Sequence, residues 1–588
     1  MRTSFLQNLY LQRPVILMMM LCLFTVLPWI GLGDFSTKGE PREAAVAISM
    51  MESGNYILPT SYANEFAYKP PMAHWLMAVC SLPQGYVSEF TARLPSALSF
   101  VVMIGFVLLF FGKRTEKFQI AMLTAFVLIT CIEIHRAAMT TRVDMLLTSF
   151  MVIGLIQLFR WEERLELKGL PMGIPLLLGC AVLTKGPVGV VLPLFVFFVY
   201  LLVQGKYRFR KVVKAMIYIG VSSMFLPLIW YVAAWRQGGD TFLNVVLAEN
   251  FGRFLHLDTP GINYDLGHER PFHYNFVTLI AGFVPWTLLV VFSLFGIRLR
   301  KPEKSFREIA KDCLQKIRTM DKASLFSLVA LACIVFFYSI PSSKRSVYLM
   351  PAYPFIAYFL ARYMLYLAEY RRMVTKVFAA FLASVAGVVL VALLLTAFGV
   401  IDPAETTSRF TAKADVLHTV ATITGLLTSP DAITVGILLA LALSLGMVCC
   451  LLLRKINLKI LYATIGLMIC IHFLIDGVIM RGERTANSSR PFAEQIMREF
   501  PLNGENVFVI NNLREYLNLY GLNFYMGNIF RDFAIEKPSA GYFLAGEKDM
   551  EKIVLKYEGE YLFSPLATTP ERNKEVRQKI VLSSFERK

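Results

Sequence analysis

Long apolar segments constrain this sequence more than any other feature. A helix that crosses a bilayer needs roughly 20 apolar residues, and about thirteen runs approach that length. The runs lie near residues 14–32, 92–112, 119–134, 143–160, 170–184, 187–204, 212–235, 275–297, 323–340, 346–366, 376–398, 432–453 and 458–480. The first run has no small-residue cleavage site and leads into an acidic loop, which is not typical of a cleaved signal peptide. The sequence therefore predicts an all-α polytopic membrane protein with about 13 transmembrane helices.

The composition agrees with a membrane protein. Hydrophobic residues make up 56% of the 588 residues and charged residues 17%, whereas a soluble domain has roughly 45–50% and about 25%. These values exclude a disordered chain, a coiled coil and a disulfide scaffold. Most of the 9 cysteines lie in apolar runs, and none follows Cys470. Because they also lack CxxC spacing, we interpret them as small hydrophobic residues.

The net charge of +17 is explained by the connections between the apolar segments. Alternate connections are strongly basic, including residues 113–117, 160–168, 206–214 and 298–322. Lys and Arg are enriched in the cytoplasmic loops of membrane proteins. We therefore predict a cytoplasmic N-terminus and, because the number of predicted spans is odd, a periplasmic C-terminus. The basic charge then reflects topology, and no nucleic-acid partner is expected.

The remaining sequence divides into outer loops and a C-terminal tail. We predict a transmembrane domain over residues 1–480, with outer loops at 33–91 and 236–274, and an extracytoplasmic α/β domain over 481–588. Within the first loop, residues 41–53 have the pattern of an amphipathic helix, and residues 70–82 are apolar but too short to span. The tail combines a helix-like run at 491–500 with strand-like runs at 507–510 and 561–563.

Charged residues recur at the outer ends of these predicted spans, where polar groups are expensive and therefore informative. Arg and Lys suit a phosphate group, and carboxylates beside them can orient or deprotonate an acceptor. Alternatively, any one of these Arg or Lys side chains only anchors a helix end at the membrane interface. Asp144 is the exception, because a carboxylate reaches the interface poorly. The group comprises Asp34, Glu40, Lys69, Asp144, Lys185, Arg253, Arg270, Lys344, Arg345 and Tyr348.

Histidines raise the question of a metal. The predicted topology places six of the 7 histidines on the outer side, but no pair has HExxH spacing. Solvated or hydrogen-bonded histidines are the simpler interpretation. We expect no required cofactor. A transient zinc or magnesium site stays an open alternative that the histidine spacing does not support.

Several short motifs occur in a fixed order along the chain. They are Gly39-Glu40-Pro41-Arg42-Glu43, Ser53-Gly54-Asn55-Tyr56, Tyr68-Lys69-Pro70-Pro71, Arg142-Val143-Asp144, Leu183-Thr184-Lys185-Gly186, Glu249-Asn250-Phe251-Gly252-Arg253 and Ser343-Lys344-Arg345-Ser346-Val347-Tyr348. Together they resemble GT-C-type membrane glycosyltransferases that use polyprenyl-phosphate sugars. Within that group they are most similar to the 4-amino-4-deoxy-L-arabinose transferases that modify lipid A, which are related to protein O-mannosyltransferases.

The resemblance implies roles for individual residues. The carrier-lipid phosphate would be held by Lys69, Arg253 and Tyr348, with Lys344 and Arg270 as further candidates. The catalytic candidates, near the acceptor and the anomeric carbon, are Glu40, Asp144 and Asp34.

Two positions depart from the family pattern. The family helix reads Asp-Glu-x-Arg-Tyr, and its first aspartate falls on Gly39. The glutamate that precedes the family lysine is replaced by Tyr68. Both departures affect the acid/base groups, whereas the lysine itself is retained.

Three functions are compatible with these residues. The first is a glycosyltransferase of the bacterial inner membrane that moves a sugar from a polyprenyl phosphate to lipid A or another outer-leaflet glycolipid, with inversion. The second is a protein O-mannosyltransferase-like enzyme acting on Ser or Thr of exported proteins. The third is a transporter or flippase for the lipid-linked sugar, for which the sequence has neither an inverted repeat nor paired broken helices.

Overall fold

The computed structural model describes residues 2–248, 269–295, 305–454, 457–512 and 515–588. Its larger part is a bundle of helices. They are α1 (Arg2–Val26), α2 (Gly39–Ser53), α3 (Met72–Ser81), α4 (Glu89–Gly112), α5 (Phe118–Ile129), α6 (Ile132–Ala138), α7 (Val143–Leu165), α8 (Gly173–Lys185), α9 (Val188–Gln204), α10 (Phe209–Leu247), α11 (Tyr274–Gly282), α12 (Trp286–Leu294), α13 (Phe306–Arg318), α14 (Lys322–Ser339), α15 (Tyr353–Tyr370), α16 (Arg372–Ala397), α17 (Pro403–Ser408), α18 (Ala414–Thr428), α19 (Ala432–Arg454) and α20 (Asn457–Leu474).

The mostly helical membrane fold is confirmed, but the number of spans stays a prediction. Among the described residues, 7 helices are long and apolar enough to cross a bilayer, or up to 9 if each of two bent pairs is one span. The bent pairs are α5 with α6, at 65°, and α11 with α12, at 100°. Each apolar run predicted from the sequence coincides with a helix or with a bent pair.

Burial separates central helices from peripheral ones. In the most apolar windows of α4 and α7, 72% and 78% of the residues are buried, against 28% in α10 and 17% in α19. A helix that is apolar on all sides and buried lies in the centre of the bundle, whereas the exposed apolar faces suit lipid contact. Helices α4 and α7 therefore lie in the centre of the bundle. Asp144 lies in the first turn of α7.

The first outer loop is well ordered by its own helices. Helix α2 contains Pro41 in its first turn and ends at Gly54, whose N–H donates to Met50 O at 3.1 Å. Pro at the start and Gly at the end are the residues that suit these positions. One face of α2 is buried, including Ala44 and Ala47, and packs on α3. The predicted amphipathic helix and the apolar stretch after it are both helical.

The tail is a small α/β domain, as predicted. After α20 the chain continues through a π turn (Ile475–Ile479). The following elements are α21 (Met480–Ala486), α22 (Arg490–Glu499), β1 (Val507–Val509), α23 (Tyr520–Tyr525), β2 (Arg531–Asp532), α24 (Phe533–Glu536), β3 (Ala540–Gly546), α25 (Glu547–Tyr557), β4 (Tyr561–Thr568) and β5 (Ile580–Arg587). The strands form one sheet in the order β2-β1-β3-β5-β4. Strand β1 is parallel to both β2 and β3, and β5 is antiparallel to β3 and β4.

The tail packs on the first outer loop. Tyr62 of the loop lies in the core of the tail domain, and its hydroxyl accepts from Leu519 N at 3.2 Å. In the opposite direction, Phe524 of the tail packs among buried residues of α2, α3 and α4. Each part therefore completes the core of the other.

Candidate functional site

Lys69, in the first outer loop, lies in a compact group of charges with residues of α2 and α3. Its Nζ donates to Glu43 Oε1, and the same oxygen accepts from Arg42 Nη2 at 3.0 Å. The second oxygen of Glu43 lies 3.0 Å from His74 Nε2 on α3. Glu43 is buried and therefore needs these partners, because an unpaired buried carboxylate is very costly.

The pKa values of Lys69 and Glu43 are both lowered, for different reasons. Burial and the neighbouring charge of Arg42 outweigh the attraction of Glu43 and lower the pKa of Lys69 to about 8. Burial favours the neutral form of Glu43, yet Lys69, Arg42 and His74 hold its pKa well below the ordinary value. At neutral pH the group therefore contains an anionic Glu43 and a Lys69 that is close to losing its proton.

A second ion pair lies at the outer end of the central helices. Lys185 Nζ, in the last turn of α8, donates to Asp144 Oδ1 in the first turn of α7. Both positions suit the helix dipoles, because a carboxylate is favoured at an N-terminus and a cation at a C-terminus. Gly186 follows with φ 95°, a backbone conformation that favours glycine and reverses the chain directly after Lys185.

The two ion pairs and one tyrosine form a continuous cluster. Asp144 acts electrostatically on Lys69, and Lys185 Nζ lies 4.3 Å from the centre of the Tyr348 ring. Such a distance is typical of a cation–π contact. We call Glu43, Lys69, Asp144, Lys185 and Tyr348 the outer-rim cluster. It brings together Lys69, Asp144 and Tyr348, three of the residues named from the sequence.

Glu40 is held by a different set of contacts. Both of its oxygens accept from Arg93, which is fully buried, at 2.8 and 3.3 Å, and Oε1 also accepts from Thr141 N at 3.0 Å. Burial raises its pKa, but Arg93 and Arg484 outweigh this effect, so the pKa of Glu40 lies below the ordinary value. Glu40 therefore ties α2 to α4 and to the connection before α7.

Asp34 lies in the contact between the first outer loop and the tail. Its oxygens accept from Ser488 Oγ at 2.6 Å and pair with Arg490 Nη1 at 3.1 Å. The contacts of Asp34 thus differ from those of the outer-rim cluster, and they indicate a role in fixing the tail.

The side chain of Lys344 contacts the backbone of Arg270. Lys344 is buried, and its Nζ donates to the carbonyl oxygens of Pro341 at 2.6 Å and Arg270 at 3.2 Å. The guanidinium of Arg270 lies 5.6 Å from the ring centre of Tyr274. The hydrogen bonds of Lys344 therefore hold one loop against another. Arg253, the remaining phosphate candidate, lies outside the described residues.

The residues to which the family resemblance assigned a role did not include Lys185 and Glu43, two members of the outer-rim cluster. Lys185 was visible in the Leu-Thr-Lys-Gly motif, and Glu43 lies one helical turn after Glu40 on α2, where residues three apart share a face. A further buried group was not visible from the sequence, because His135 lies 341 residues before Asp476 and far from His472.

One family model matches part of this chain. Residues 68–235 match the family model described as dolichyl-phosphate-mannose-protein mannosyltransferase. The matched segment includes Lys69, Asp144 and Lys185. The match covers less than a third of the chain, and over that segment the chain is similar to this glycosyltransferase family. The resemblance drawn from the motifs is thereby confirmed.

Individual relatives of this family are more distant. An uncharacterized protein from Aquifex aeolicus is 27% identical over 335 residues, which cover 56% of this chain and 59% of that protein. An undecaprenyl phosphate-alpha-4-amino-4-deoxy-L-arabinose arabinosyl transferase from Enterobacter sp. is 22% identical over 327 residues, 55% of this chain and 54% of that protein. The matches thus span little more than half the length of these curated relatives.

The fold is similar over a longer range. The crystal structure of ArnT from Cupriavidus metallidurans bound to undecaprenyl phosphate superposes with a TM-score of 0.67 at 17% identity, covering 97% of both chains. This chain therefore has the ArnT fold, including the helical membrane part and the small tail domain.

Proposed function

We propose that this protein is a membrane glycosyltransferase that moves a sugar from a polyprenyl phosphate to a glycolipid such as lipid A on the outer leaflet. The observation that carries the proposal is the outer-rim cluster, in which Lys69 and Lys185 lie beside Asp144 and Tyr348 at one end of the central helices. The similarity to an undecaprenyl phosphate-alpha-4-amino-4-deoxy-L-arabinose arabinosyl transferase supports the same reaction class.

The donor phosphate is the group that two lysines and a tyrosine suit. Lys69 and Lys185 are partly buried, and fixed charges act strongly on a developing charge where water is excluded. A bound phosphate would take over part of the hydrogen bonding that each lysine now gives to Glu43 or Asp144. Arg253 remains the third phosphate residue that the family resemblance implies.

In the proposed reaction, an acceptor oxygen attacks the anomeric carbon of the donor sugar. The bond from that carbon to the phosphate oxygen breaks, the bond to the acceptor oxygen forms, and the carrier leaves as its monophosphate. A single displacement inverts the anomeric configuration. Lys69 and Lys185 stabilise the charge of the leaving phosphate, and Asp144 orients the acceptor.

The surroundings of Gly39 favour an anionic acceptor. A Cβ at this position would lie 3.1 Å from Arg142 Nη2, so the aspartate of the family pattern would sit against that guanidinium. Without it, Arg142 is available to a negatively charged acceptor group. A phosphate oxygen of lipid A is already anionic and needs little general-base help, unlike the neutral hydroxyl of Ser or Thr.

The test is sugar transfer by the purified full-length protein in detergent, from polyprenyl-phosphate sugars to lipid A. For Lys69→Ala we expect a loss of about 100-fold or more in kcat/KM, the size typical of removing a charge-stabilising donor. The matched control is Lys413→Ala, an exposed lysine of a later outer loop, which should keep full activity. Full activity of Lys69→Ala would overturn the assignment of the phosphate site.

The acceptor is identified by a separate measurement. Mass spectrometry of lipid A from cells with and without the protein should differ by the mass of one sugar residue. Unchanged lipid A together with a glycosylated exported protein would favour the protein O-mannosyltransferase-like alternative. Transport of the donor without a new glycosidic bond would indicate a flippase.

A further inference from the structure

We propose that His135, His472 and Asp476 bind a zinc ion inside the helical bundle. Each of the three side chains offers one ligand atom, and these atoms lie within 4.8 Å of one another. His135 Nε2 is 2.6 Å from Asp476 Oδ2, and the rings of His135 and His472 have their centres 4.2 Å apart. The site is separate from the outer-rim cluster, and it does not depend on the proposed transfer reaction.

Burial makes the grouping informative. His135, His472 and Asp476 are 3%, 5% and 5% exposed, and ionisable side chains are rare inside a membrane protein unless they have a function. Two imidazoles and a carboxylate in one buried place have more polar atoms than they can satisfy among themselves.

One nitrogen of the His135 ring lacks a hydrogen-bond partner. His135 Nδ1 is buried and has no hydrogen-bond partner, while Nε2 contacts Asp476. Buried polar groups are almost always paired, so each unpaired one calls for an explanation. A metal ion provides it, because coordination replaces the missing partner and its positive charge compensates Asp476.

The donor atoms of the three side chains indicate which metal ion would bind. Two neutral imidazoles and one carboxylate are a donor set that suits zinc, whereas magnesium and calcium prefer oxygen ligands. In a tetrahedral zinc site with ligands at about 2.1 Å, the ligand atoms lie about 3.4 Å apart, so the side chains must shift by about 1 Å to surround an ion. The π turn (Ile475–Ile479), which contains Asp476, is of the kind often found at functional sites.

At this position the ion would have a structural role. His135 lies on α6, His472 on α20 and Asp476 on the π turn that follows, so the ion would fasten α6 to the end of α20. The connection that follows α6 contains Thr141, which donates to Glu40, and leads to Asp144. The ion would thereby stabilise the connection that carries the outer end of α7.

Metal content is the direct test. The full-length protein is purified in detergent without a polyhistidine tag, dialysed against zinc and washed free of unbound ion, and analysed by mass spectrometry for metals. We expect about one zinc per chain. Asp476→Asn, which retains the shape of the side chain, should lose most of the bound zinc, and His418→Ala should retain it because His418 is exposed and lies elsewhere.

A second measurement uses the wild-type protein and therefore does not depend on the folding of a variant. Cobalt added to the metal-free wild-type protein should give the visible absorption of a low-symmetry site with nitrogen and oxygen ligands, and zinc should abolish it. Zinc should also raise the unfolding temperature of the wild type and of His418→Ala but not of Asp476→Asn. Wild type with no zinc above the level of Asp476→Asn, and with no cobalt spectrum, would overturn the site.

Discussion

At the scale of single residues, the carboxylate beside Lys69 has an unusual source. In the family pattern a glutamate directly precedes the lysine and a tyrosine occupies the fifth position of the loop helix. Here the two residue types are exchanged, with Tyr68 before the lysine and Glu43 on α2. Glu43 pairs with Lys69, so the lysine keeps a carboxylate partner although the sequence motif lacks one.

This pairing predicts a specific pH dependence. Lys69 has a pKa of about 8, and only its protonated form attracts the donor phosphate. The kcat/KM value reports on the free enzyme, so it should fall as the pH rises through about 8. In Lys69→Arg this fall should vanish, because a guanidinium stays charged. Rates measured from pH 6 to pH 10 check the expectation.

Removing the charge of Glu43 should change the pH at which kcat/KM falls. Glu43 raises the pKa of Lys69, so Glu43→Gln should shift the fall in kcat/KM to a pH below about 8. Glu52→Gln is the matched control, since Glu52 is an exposed residue of the same helix. Identical pH profiles for Glu43→Gln and the wild type would contradict the role given to Glu43.

Glu40 is expected to affect stability more than chemistry. Glu40→Gln leaves the buried Arg93 without its counter-charge, and breaking such a pair typically costs about 3 kcal/mol of folding free energy. The thermal unfolding midpoint in detergent should fall clearly. The double variant with Arg93→Met should recover part of the loss, because methionine removes the buried charge that Glu40→Gln leaves unpaired. A normal midpoint with abolished transfer would instead show a catalytic Glu40.

At the scale of elements, one arginine joins the tail to the outer loops. Arg490, in the first turn of α22, pairs with Asp34 and with Glu89 in the first turn of α4. Its guanidinium lies 4.8 Å from the ring centre of Tyr525. The Tyr525 hydroxyl in turn donates to Glu89 and accepts from Phe35 N at 2.7 Å. Three separate elements thus meet at Arg490.

Removing this arginine should loosen the tail without unfolding the membrane helices. Since Arg490 is partly exposed, Arg490→Ala should weaken docking by about 1 kcal/mol. Amide hydrogen exchange in α22 should become faster than in Arg498→Ala, a control on the exposed face of the same helix. Equal exchange in both variants would mean that apolar contacts such as Tyr62 alone hold the tail.

The elements were the most predictable part of this protein. Long apolar runs and the Pro and Gly residues at the ends of α2 report local backbone preferences, and these residues do form helices. The bends between α5 and α6 and between α11 and α12 were not predicted, because continuous apolar sequence looks the same in a straight and in a bent segment. Contacts such as Asp34 with Arg490 were also invisible, since they join positions far apart in the chain.

The candidate site likewise has a part that the sequence predicted and a part that it did not. Lys69, Asp144 and Tyr348 were found through motifs and do lie in one cluster. Glu40 and Lys344 belong to the same motifs, but their partners lie outside those motifs. Glu40 accepts from Arg93, and Lys344 donates to the backbone carbonyls of Pro341 and Arg270. Sequence pattern identifies which residues are near the rim, and only the fold decides their partners.

At the scale of the whole molecule, charge and topology are linked. The basic connections alternate with the outer loops along the chain, and the outer-rim cluster lies where α7 begins and α8 ends. If positive residues mark the cytoplasmic face, then the cluster and the tail both face the periplasm, and a donor lipid reaches the cluster from the outer leaflet.

Cysteine labelling tests this arrangement on intact cells. Ser539→Cys adds an exposed thiol to the tail, which has no native cysteine, and Glu116→Cys adds one to a basic connection between α4 and α5. A membrane-impermeant maleimide applied to cells with a permeabilised outer membrane should label Ser539→Cys above the wild-type background. Glu116→Cys should react only after the inner membrane is disrupted. The reverse pattern would place the cluster on the cytoplasmic side, where no outer-leaflet acceptor could reach it.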